Sequence, residues 1–324
     1  MKFVTWIAYH LEAQSVVDDY ISRIARHLEG QDFVICRNLE SIKREIVDAD
    51  AMIGWRITPE VFAEAKQLKW IQFGSAGIDH TLFPELIASD VVLTNLSGIH
   101  TVPVSEHVFA MMLALTRRLN IAMEQQLSRE YERTEIASTS DELYGKTIGI
   151  IGLGKIGLGI AKLAKAFGMQ VLGTKRVPGD PLPNVDKVYK PENLDEVLQA
   201  SDFIVLVIPL TTETKALIGE REIGLMKDNA YLINVARGAM LDHTALDNAL
   251  RTSKLKGAAL DVFPEEPLSP DSPIYDLPNT IITPHTAGSS ARYWERGEQI
   301  FKRNLDAFLT DGEMINVYDR ERGY

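Results

Sequence analysis

A strand-like run, Thr147-Ile148-Gly149-Ile150-Ile151, passes directly into Gly152-Leu153-Gly154-Lys155-Ile156-Gly157, and the chain beyond it reads as a helix from Lys155 to Phe167. This order of strand, glycine-rich turn and helix is demanding. Gly152 permits the tight turn, Gly154 lets backbone amides approach a pyrophosphate, and Gly157 lets the helix lie close on the strand. Lys155 and Ile156 open the helix, whose unsatisfied N–H groups and positive dipole end face the phosphates. The segment is therefore read as a dinucleotide site within a parallel α/β sheet. A ligand-free glycine turn is the weaker alternative.

Past the next strand, near Gln170 to Thr174, a carboxylate that bonds the ribose 2′-hydroxyl is expected in an NAD site. The sequence has Gly173-Thr174-Lys175-Arg176 instead. Two cations would meet a 2′-phosphate with charge-assisted hydrogen bonds, so NADP is the preferred cofactor and NAD the second choice. The competing view is that Lys175 and Arg176 are solvated loop residues.

The rest of the chain alternates strand and helix. Phe3 to Tyr9, Phe33 to Cys36, Ala51 to Trp55, Trp70 to Phe73 and Val91 to Asn95 read as strands of a first series. The second series begins at Thr147 and continues with strands near Gln170 to Thr174, Phe203 to Ile208, Tyr231 to Val235, Gly257 to Val262 and Thr280 to Thr283. Such alternation predicts open parallel sheets covered by helices. Between the series, residues 102–130 carry Val104, Val108, Met111, Met112, Leu115 and Leu119 at helical spacing. That long helix is read as a link between domains, a subunit contact or a core helix. A last helical stretch runs from about Ser290 to Leu309. The expected domains are 1–99 with 289–324, which would hold the substrate, and an inserted dinucleotide-binding domain, 100–288. The cleft between them is the expected active site.

The length of 324 residues suits two cores, and 45% apolar with 24% charged residues is ordinary for a globular protein. A formal charge of -11 disfavours nucleic acid and anionic lipid, so an anionic substrate needs a local cation. No apolar run is long enough for a membrane span, and Phe3 to Tyr9 is too short for a signal sequence. The single cysteine, Cys36, fits a reducing compartment and reads as a buried hydrophobe; cytoplasm is the expected location, and no metal-ligand set is assigned.

Three polar residues fall at or beyond strand C-termini of the second series, where open parallel sheets place ligands: Arg237, Glu266 and His285. The Arg237 guanidinium fits a carboxylate with two parallel bonds. His285, delivered by Ile281-Ile282-Thr283-Pro284, suits reversible proton transfer to a carbonyl oxygen. Glu266 would bond the far ring nitrogen, fixing the tautomer and favouring the imidazolium. Each residue alone is ambiguous; with a dinucleotide loop they describe a clamp, an acid/base and its orienter for hydride transfer at C2 of a small 2-keto or 2-hydroxy acid.

Over nearly its whole length the sequence resembles the D-isomer-specific 2-hydroxyacid dehydrogenase family. The likeness lies in Gly152 to Gly157, Asn234-Val235-Ala236-Arg237-Gly238, Ala259-Leu260-Asp261-Val262-Phe263 with Glu266-Pro267, and Thr283-Pro284-His285-Thr286-Ala287-Gly288. The resemblance implies two Rossmann-like domains, with the cofactor domain inserted into the substrate domain. It implies Arg237 as carboxylate and carbonyl clamp, His285 as acid/base and Glu266 as its partner. Asp261 would lie near the nicotinamide carboxamide, Val235 and Ala236 would line the cofactor, and Gly288 belongs to the same site. The backbone of Ser75-Ala76-Gly77 would hold the substrate carboxylate. The long helix resembles the family's dimerisation region, which implies a homodimer. Trp55, Arg56, Tyr293 and Trp294 fall where they shape the pocket or pack elsewhere.

Glyoxylate, hydroxypyruvate, pyruvate and longer 2-keto acids all fit this reading. Phosphoglycerate and phosphite oxidation are alternatives within the family, and a dinucleotide-sensing corepressor is the alternative from another class. A formate dehydrogenase would have glutamine at Glu266. With the chain ending at Tyr324, no appended serine-sensing regulatory domain is expected.

Overall fold

A computed structural model describes residues 1–6, 14–78, 81–177 and 181–320. They form two compact units, Met1–His100 with Ser290–Tyr324, and Thr101–Ser289.

The first unit is a five-stranded parallel sheet of β1 (Lys2–Trp6), β2 (Asp32–Cys36), β3 (Ala51–Gly54), β4 (Trp70–Phe73) and β5 (Val92–Thr94), in the order β2-β1-β3-β4-β5. Ile7 to Tyr9 of the expected first strand lie outside the described residues. The helices are α1 (Gln14–His27), α2 (Leu39–Glu45), α3 (Pro59–Phe62) and α4 (Pro84–Ile87). Adjacent strand residues feed opposite faces, as the two-residue period requires. Val4, Met52 and Ile71 join Ile42 of α2 and Ile46, which follows it, on one side; Phe3, Ile53 and Trp70 join Tyr20 and Ile24 of α1 on the other. Cys36 is fully buried, and burial pushes its thiol up to about 11, which removes it as a nucleophile.

The second unit contains α5 (Thr101–Thr116), α6 (Leu119–Ser128) and α7 (Arg133–Thr139), then β6 (Thr147–Ile151), α8 (Lys155–Ala166), β7 (Gln170–Thr174), β8 (Lys187–Tyr189), α9 (Leu194–Ala200), β9 (Phe203–Leu206), α10 (Glu220–Leu225), β10 (Ala230–Asn234), α11 (His243–Arg251), β11 (Leu255–Leu260) and β12 (Thr280–Ile282). Its seven strands are all parallel, in the order β12-β11-β10-β9-β6-β7-β8. The order reverses between β6 and β9, the crevice where such sheets bind dinucleotides. Short β8 was not legible, because its three residues lack a buried face.

The continuous helix expected over 102–130 is two helices. Arg118 sits in the left-handed region at φ 54° and interrupts the helix between α5 and α6. Its guanidinium bonds Thr139 Oγ1 at 3.1 Å and Asn279 Oδ1 at 2.9 Å, which holds the break in place. Val104, Val108, Met111, Met112 and Leu115 are buried among Ile148, Ile150, Ile160 and Ile233, so α5 is a core helix of its own unit. Leu119, the last member of the expected stripe, belongs to α6 and is exposed.

Chain return to the first unit is secured by α12 (Tyr293–Leu309), which starts three residues later than the sequence spacing gave. Phe301 stacks on Trp70 with centroids 6.1 Å apart, and fully buried Asn304 donates to Gln72 Oε1 at 3.0 Å and accepts the Ile315 N–H at 2.8 Å. A buried amide with its polar atoms met specifies where this helix docks.

Candidate active site

The glycines after β6 have three different reasons to be glycine. Gly152 has φ 113°, and a Cβ there would run into Ile208 and the Val207 carbonyl. A Cβ on Gly157 would collide with the Gly152 carbonyl oxygen, whereas one on Gly154 would meet nothing within 4 Å. The first and third are therefore required by the protein's own backbone, and the second leaves free space at the N-terminus of α8. That space and the unmet amides of a helix start suit a pyrophosphate. Lys155 and Ile156 begin α8, and burial holds the Lys155 ammonium below its ordinary range.

At the end of β7, Thr174 is buried and Lys175 and Arg176 emerge in sequence. The Lys175 N–H donates to the Tyr189 carbonyl at 2.9 Å, so β8 fixes the exit of this strand. Arg176 reaches Glu213 at 3.5 Å in an exposed pair. Such an exposed pair contributes little to stability.

Three loops bring the polar residues of the second unit together. After β10, Asn234 accepts the Ala236 N–H at 3.0 Å and donates to the Arg237 carbonyl at 3.0 Å, closing the turn that presents Arg237. The Arg237 Nη1 donates to the Ala236 carbonyl at 2.8 Å, and the rest of the exposed guanidinium fork faces outward. Gly238 follows because a Cβ there would overlap the Phe263 carbonyl and the Pro264 nitrogen. The loops after β10 and β11 thus touch through main chain.

The second loop carries Glu266. Its Oε1 accepts the Phe263 N–H at 2.9 Å, and its Oε2 lies 2.6 Å from Nδ1 of His285. Partial burial pushes the carboxyl up, but the hydrogen bonds from His285 and Phe263 and the charges of His285 and Arg237 outweigh it and hold Glu266 below the ordinary carboxylate range. Glu266 is therefore ionised at neutral pH.

The third loop, after β12, carries His285 at φ 53°, an unusual conformation for a residue with a side chain. Asp261, only 1% exposed, imposes it. Its Oδ1 accepts from Thr283 Oγ1 at 2.6 Å and from the Thr286 N–H at 2.8 Å, its Oδ2 accepts the Ala287 N–H at 3.0 Å, and its carbonyl takes the His285 N–H at 2.8 Å. Behind it, His107 Nε2 lies 3.0 Å from Thr283 Oγ1; since that hydroxyl gives its hydrogen to Asp261, His107 is the donor. His107 and Thr283 were not singled out from the sequence. The signal was present: His107 lies between Val104 and Met111 at three- and four-residue spacing, a polar side chain on the buried face of α5.

With Glu266 accepting from Nδ1–H, the His285 Nε2 is the ring atom left to exchange a proton, and the Arg237 charge is felt at the Glu266 carboxyl. Arg237, Glu266, His285, Asp261, Val235, Ala236 and Gly288 thus share the strand C-terminal edge with Gly152 to Gly157 and Thr174 to Arg176, all within the second unit. Ser75, Ala76 and Gly77 belong to the first unit, in the turn after β4. Among the described residues no His, Cys, Asp or Glu group is arranged to hold a metal, and no helix is long and apolar enough to cross a membrane.

Fold and site together define a nicotinamide-dependent oxidoreductase. Residues 109–287 match the family described as D-isomer specific 2-hydroxyacid dehydrogenase, NAD binding domain. A glyoxylate reductase of Thermococcus gammatolerans is 35% identical over 307 residues, 91% of each chain. A D-isomer specific 2-hydroxyacid dehydrogenase from Xanthobacter autotrophicus Py2, solved with NADPH and MES, superposes with a TM-score of 0.83 at 26% identity over 99% of each chain. A D-lactate dehydrogenase from Aquifex aeolicus, solved with NAD and lactic acid, gives 0.74 at 30% identity over 96% of each chain. The chain belongs to the D-isomer-specific 2-hydroxyacid dehydrogenase family, oxidoreductases that use NAD(P).

Proposed function

We propose that the protein is an NADPH-preferring reductase of a small 2-keto acid such as glyoxylate or hydroxypyruvate, yielding the D-2-hydroxy acid. The observation that carries the reading is the 2.6 Å contact of His285 Nδ1 with an ionised Glu266, whose carboxyl also feels the charge of Arg237. The reduced nicotinamide, when bound, supplies the hydride. Arg237 binds the substrate carboxylate and polarises the C2 carbonyl; His285 gives the proton at Nε2 to the carbonyl oxygen as the alkoxide develops; Glu266 stabilises the imidazolium beforehand. In the oxidative direction the neutral ring takes the hydroxyl proton back. The backbone of Ser75 to Gly77, in the first unit, is assigned to a substrate carboxylate.

NADPH is favoured because Lys175 and Arg176 stand where a ribose carboxylate is otherwise expected. The Xanthobacter relative, solved with NADPH, supports this choice, and the Aquifex relative, solved with NAD, keeps NADH as the comparison. Initial rates for glyoxylate, hydroxypyruvate, pyruvate and longer 2-keto acids, each with NADPH and NADH, test the reading. Turnover of at least one acid with NADPH is expected. No turnover of any of them would remove it.

The reading includes a homodimer and, with Cys36 the only cysteine and buried, a cytoplasmic setting. Leu119, Met123 and Leu127, one helical turn apart on α6, are 49%, 65% and 85% exposed. Three large apolar residues in one exposed row suit an isologous contact with a second copy. Light scattering should give twice the chain mass, and Leu127→Glu with Met123→Glu should halve it.

A further inference from the structure

The turn after β4 has its flanks tied and its middle open. The Gly74 N–H donates to the Gly54 carbonyl at 2.9 Å and the Ser75 carbonyl accepts the Leu96 N–H at 2.9 Å, so neighbouring chain on both sides holds it. The backbone N–H groups of Ser75, Ala76 and Gly77 meet no acceptor among the described residues, and the Ser75 hydroxyl turns back to the Gly77 carbonyl at 3.0 Å. The peptide between Gly74 and Ser75 is fixed from outside the turn. Tyr293, the first residue of α12, donates its hydroxyl hydrogen to the Gly74 carbonyl at 2.8 Å. The indole of Trp55 covers the other approach, since a Cβ on Gly74 would lie 3.1 Å from its ring.

In a trans peptide the carbonyl and the following N–H point in opposite directions. A bond that fixes the Gly74 carbonyl therefore fixes the direction of the Ser75 N–H, first of the three open donors. Tyr293 is itself held edge-on against Trp294, with centroids 4.5 Å apart, and lies 5.4 Å from the His100 ring. We infer that Tyr293 is a positioning residue: its hydroxyl sets the Gly74–Ser75 peptide so that the N–H groups of Ser75 to Gly77 are preorganised for the carboxylate of the 2-keto acid. The inference rests on the assignment of this turn to the carboxylate.

Oxamate, a carboxylate-bearing mimic of a 2-keto acid, is the probe. In Tyr293→Phe the ring packing stays and the hydrogen bond to the Gly74 carbonyl is lost. The oxamate Kd, by calorimetry with saturating NADPH, and the KM for the best keto acid should both rise about threefold to tenfold. The kcat, the NADPH Kd and the Tm should stay at wild-type values. Tyr20→Phe is the control, because that hydroxyl lies buried in the same aromatic cluster with no hydrogen-bond partner among the described residues, and its loss should leave Kd and KM unchanged. Unchanged oxamate Kd and KM in Tyr293→Phe would overturn the positioning role, as would a parallel loss of kcat, cofactor binding and Tm. Amide resonances of Ser75, Ala76 and Gly77 in the ¹⁵N-labelled wild type separate the two levels of the argument. If they do not shift with oxamate, the carboxylate assignment itself is wrong and the positioning role goes with it. If they shift while Tyr293→Phe binds normally, only the positioning role is lost.

Discussion

His285 Nδ1 and Glu266 Oε2 lie 2.6 Å apart, while the other oxygen of the same carboxylate is held by the Phe263 N–H at 2.9 Å. The imidazole is thus oriented by a group that is itself fixed to main chain. Glu266→Gln keeps the shape and removes the charge. The imidazole then loses its anionic partner, so reductive kcat/KM should fall while the NADPH Kd stays near the wild-type value. A variant with wild-type kcat/KM would contradict the assigned contact. The carboxyl of Glu266 is lowered in the folded state, so its interactions stabilise the protein above the ordinary carboxylate range and are lost as pH falls through the lowered value. The Tm gap between wild type and Glu266→Gln, present at neutral pH, should therefore close on acidification.

His285→Ala removes the only ring that can pass a proton from this loop. The kcat should fall by roughly 10²- to 10⁴-fold. The NADPH Kd, by fluorescence titration, should hardly change, because the glycine turn and Lys175 are untouched. A variant with near-normal kcat would take the acid/base role from His285.

Arg237→Lys retains the charge but cannot make two parallel bonds. The loss of one charge-assisted hydrogen bond, about 1.5 to 3 kcal/mol, should lower kcat/KM by roughly tenfold to a hundredfold. Full retention of kcat/KM would mean that attraction without the fork is sufficient.

Gly238→Ala tests the main-chain contact between the loops after β10 and β11. The added methyl would meet backbone atoms of Phe263 and Pro264, which have no rotamer to change, so the two loops must separate. A destabilisation of about 1 to 3 kcal/mol is expected, with a loss of kcat because Glu266 is anchored at Phe263. Calorimetric Tm and kcat read both effects; an alanine variant with wild-type values for each would show that the loops can part freely.

Lys175→Asp with Arg176→Ala should move cofactor preference from NADPH toward NADH. In the wild type, one or two charge-assisted bonds to the 2′-phosphate favour NADPH by roughly tenfold to several hundredfold in kcat/KM, and exposure and salt pull this toward the lower figure. The keto-acid KM should change little. A wild type that prefers NADH at low salt would dispose of the cation argument.

Local spacing in the sequence was enough for much of this protein. The periods of two and of 3.6 place strands and helices because burial follows them, and Gly152 and Gly157 mark the turn after β6 because a side chain at either would strike neighbouring atoms, while Gly154 leaves open space at the helix start. Arg237, Glu266 and His285 were legible as polar residues at strand ends, where parallel sheets deliver chemistry. The break at Arg118 was not legible, since its left-handed backbone is held by Thr139 and by Asn279, far along the chain. Nor was the support beneath His285, in which Asp261 accepts four hydrogen bonds through its side chain and carbonyl and His107 reaches in from a helix 176 residues distant in sequence from Thr283. The sequence by itself determined most of the strands, the glycine turn and the class of sheet, because each depends on neighbours a few positions apart. The tertiary structure alone decided how closely Glu266 meets the imidazole, which backbone contact forces Gly238 and which hydroxyl bonds the Gly74 carbonyl, because those are distances between segments that no local period encodes.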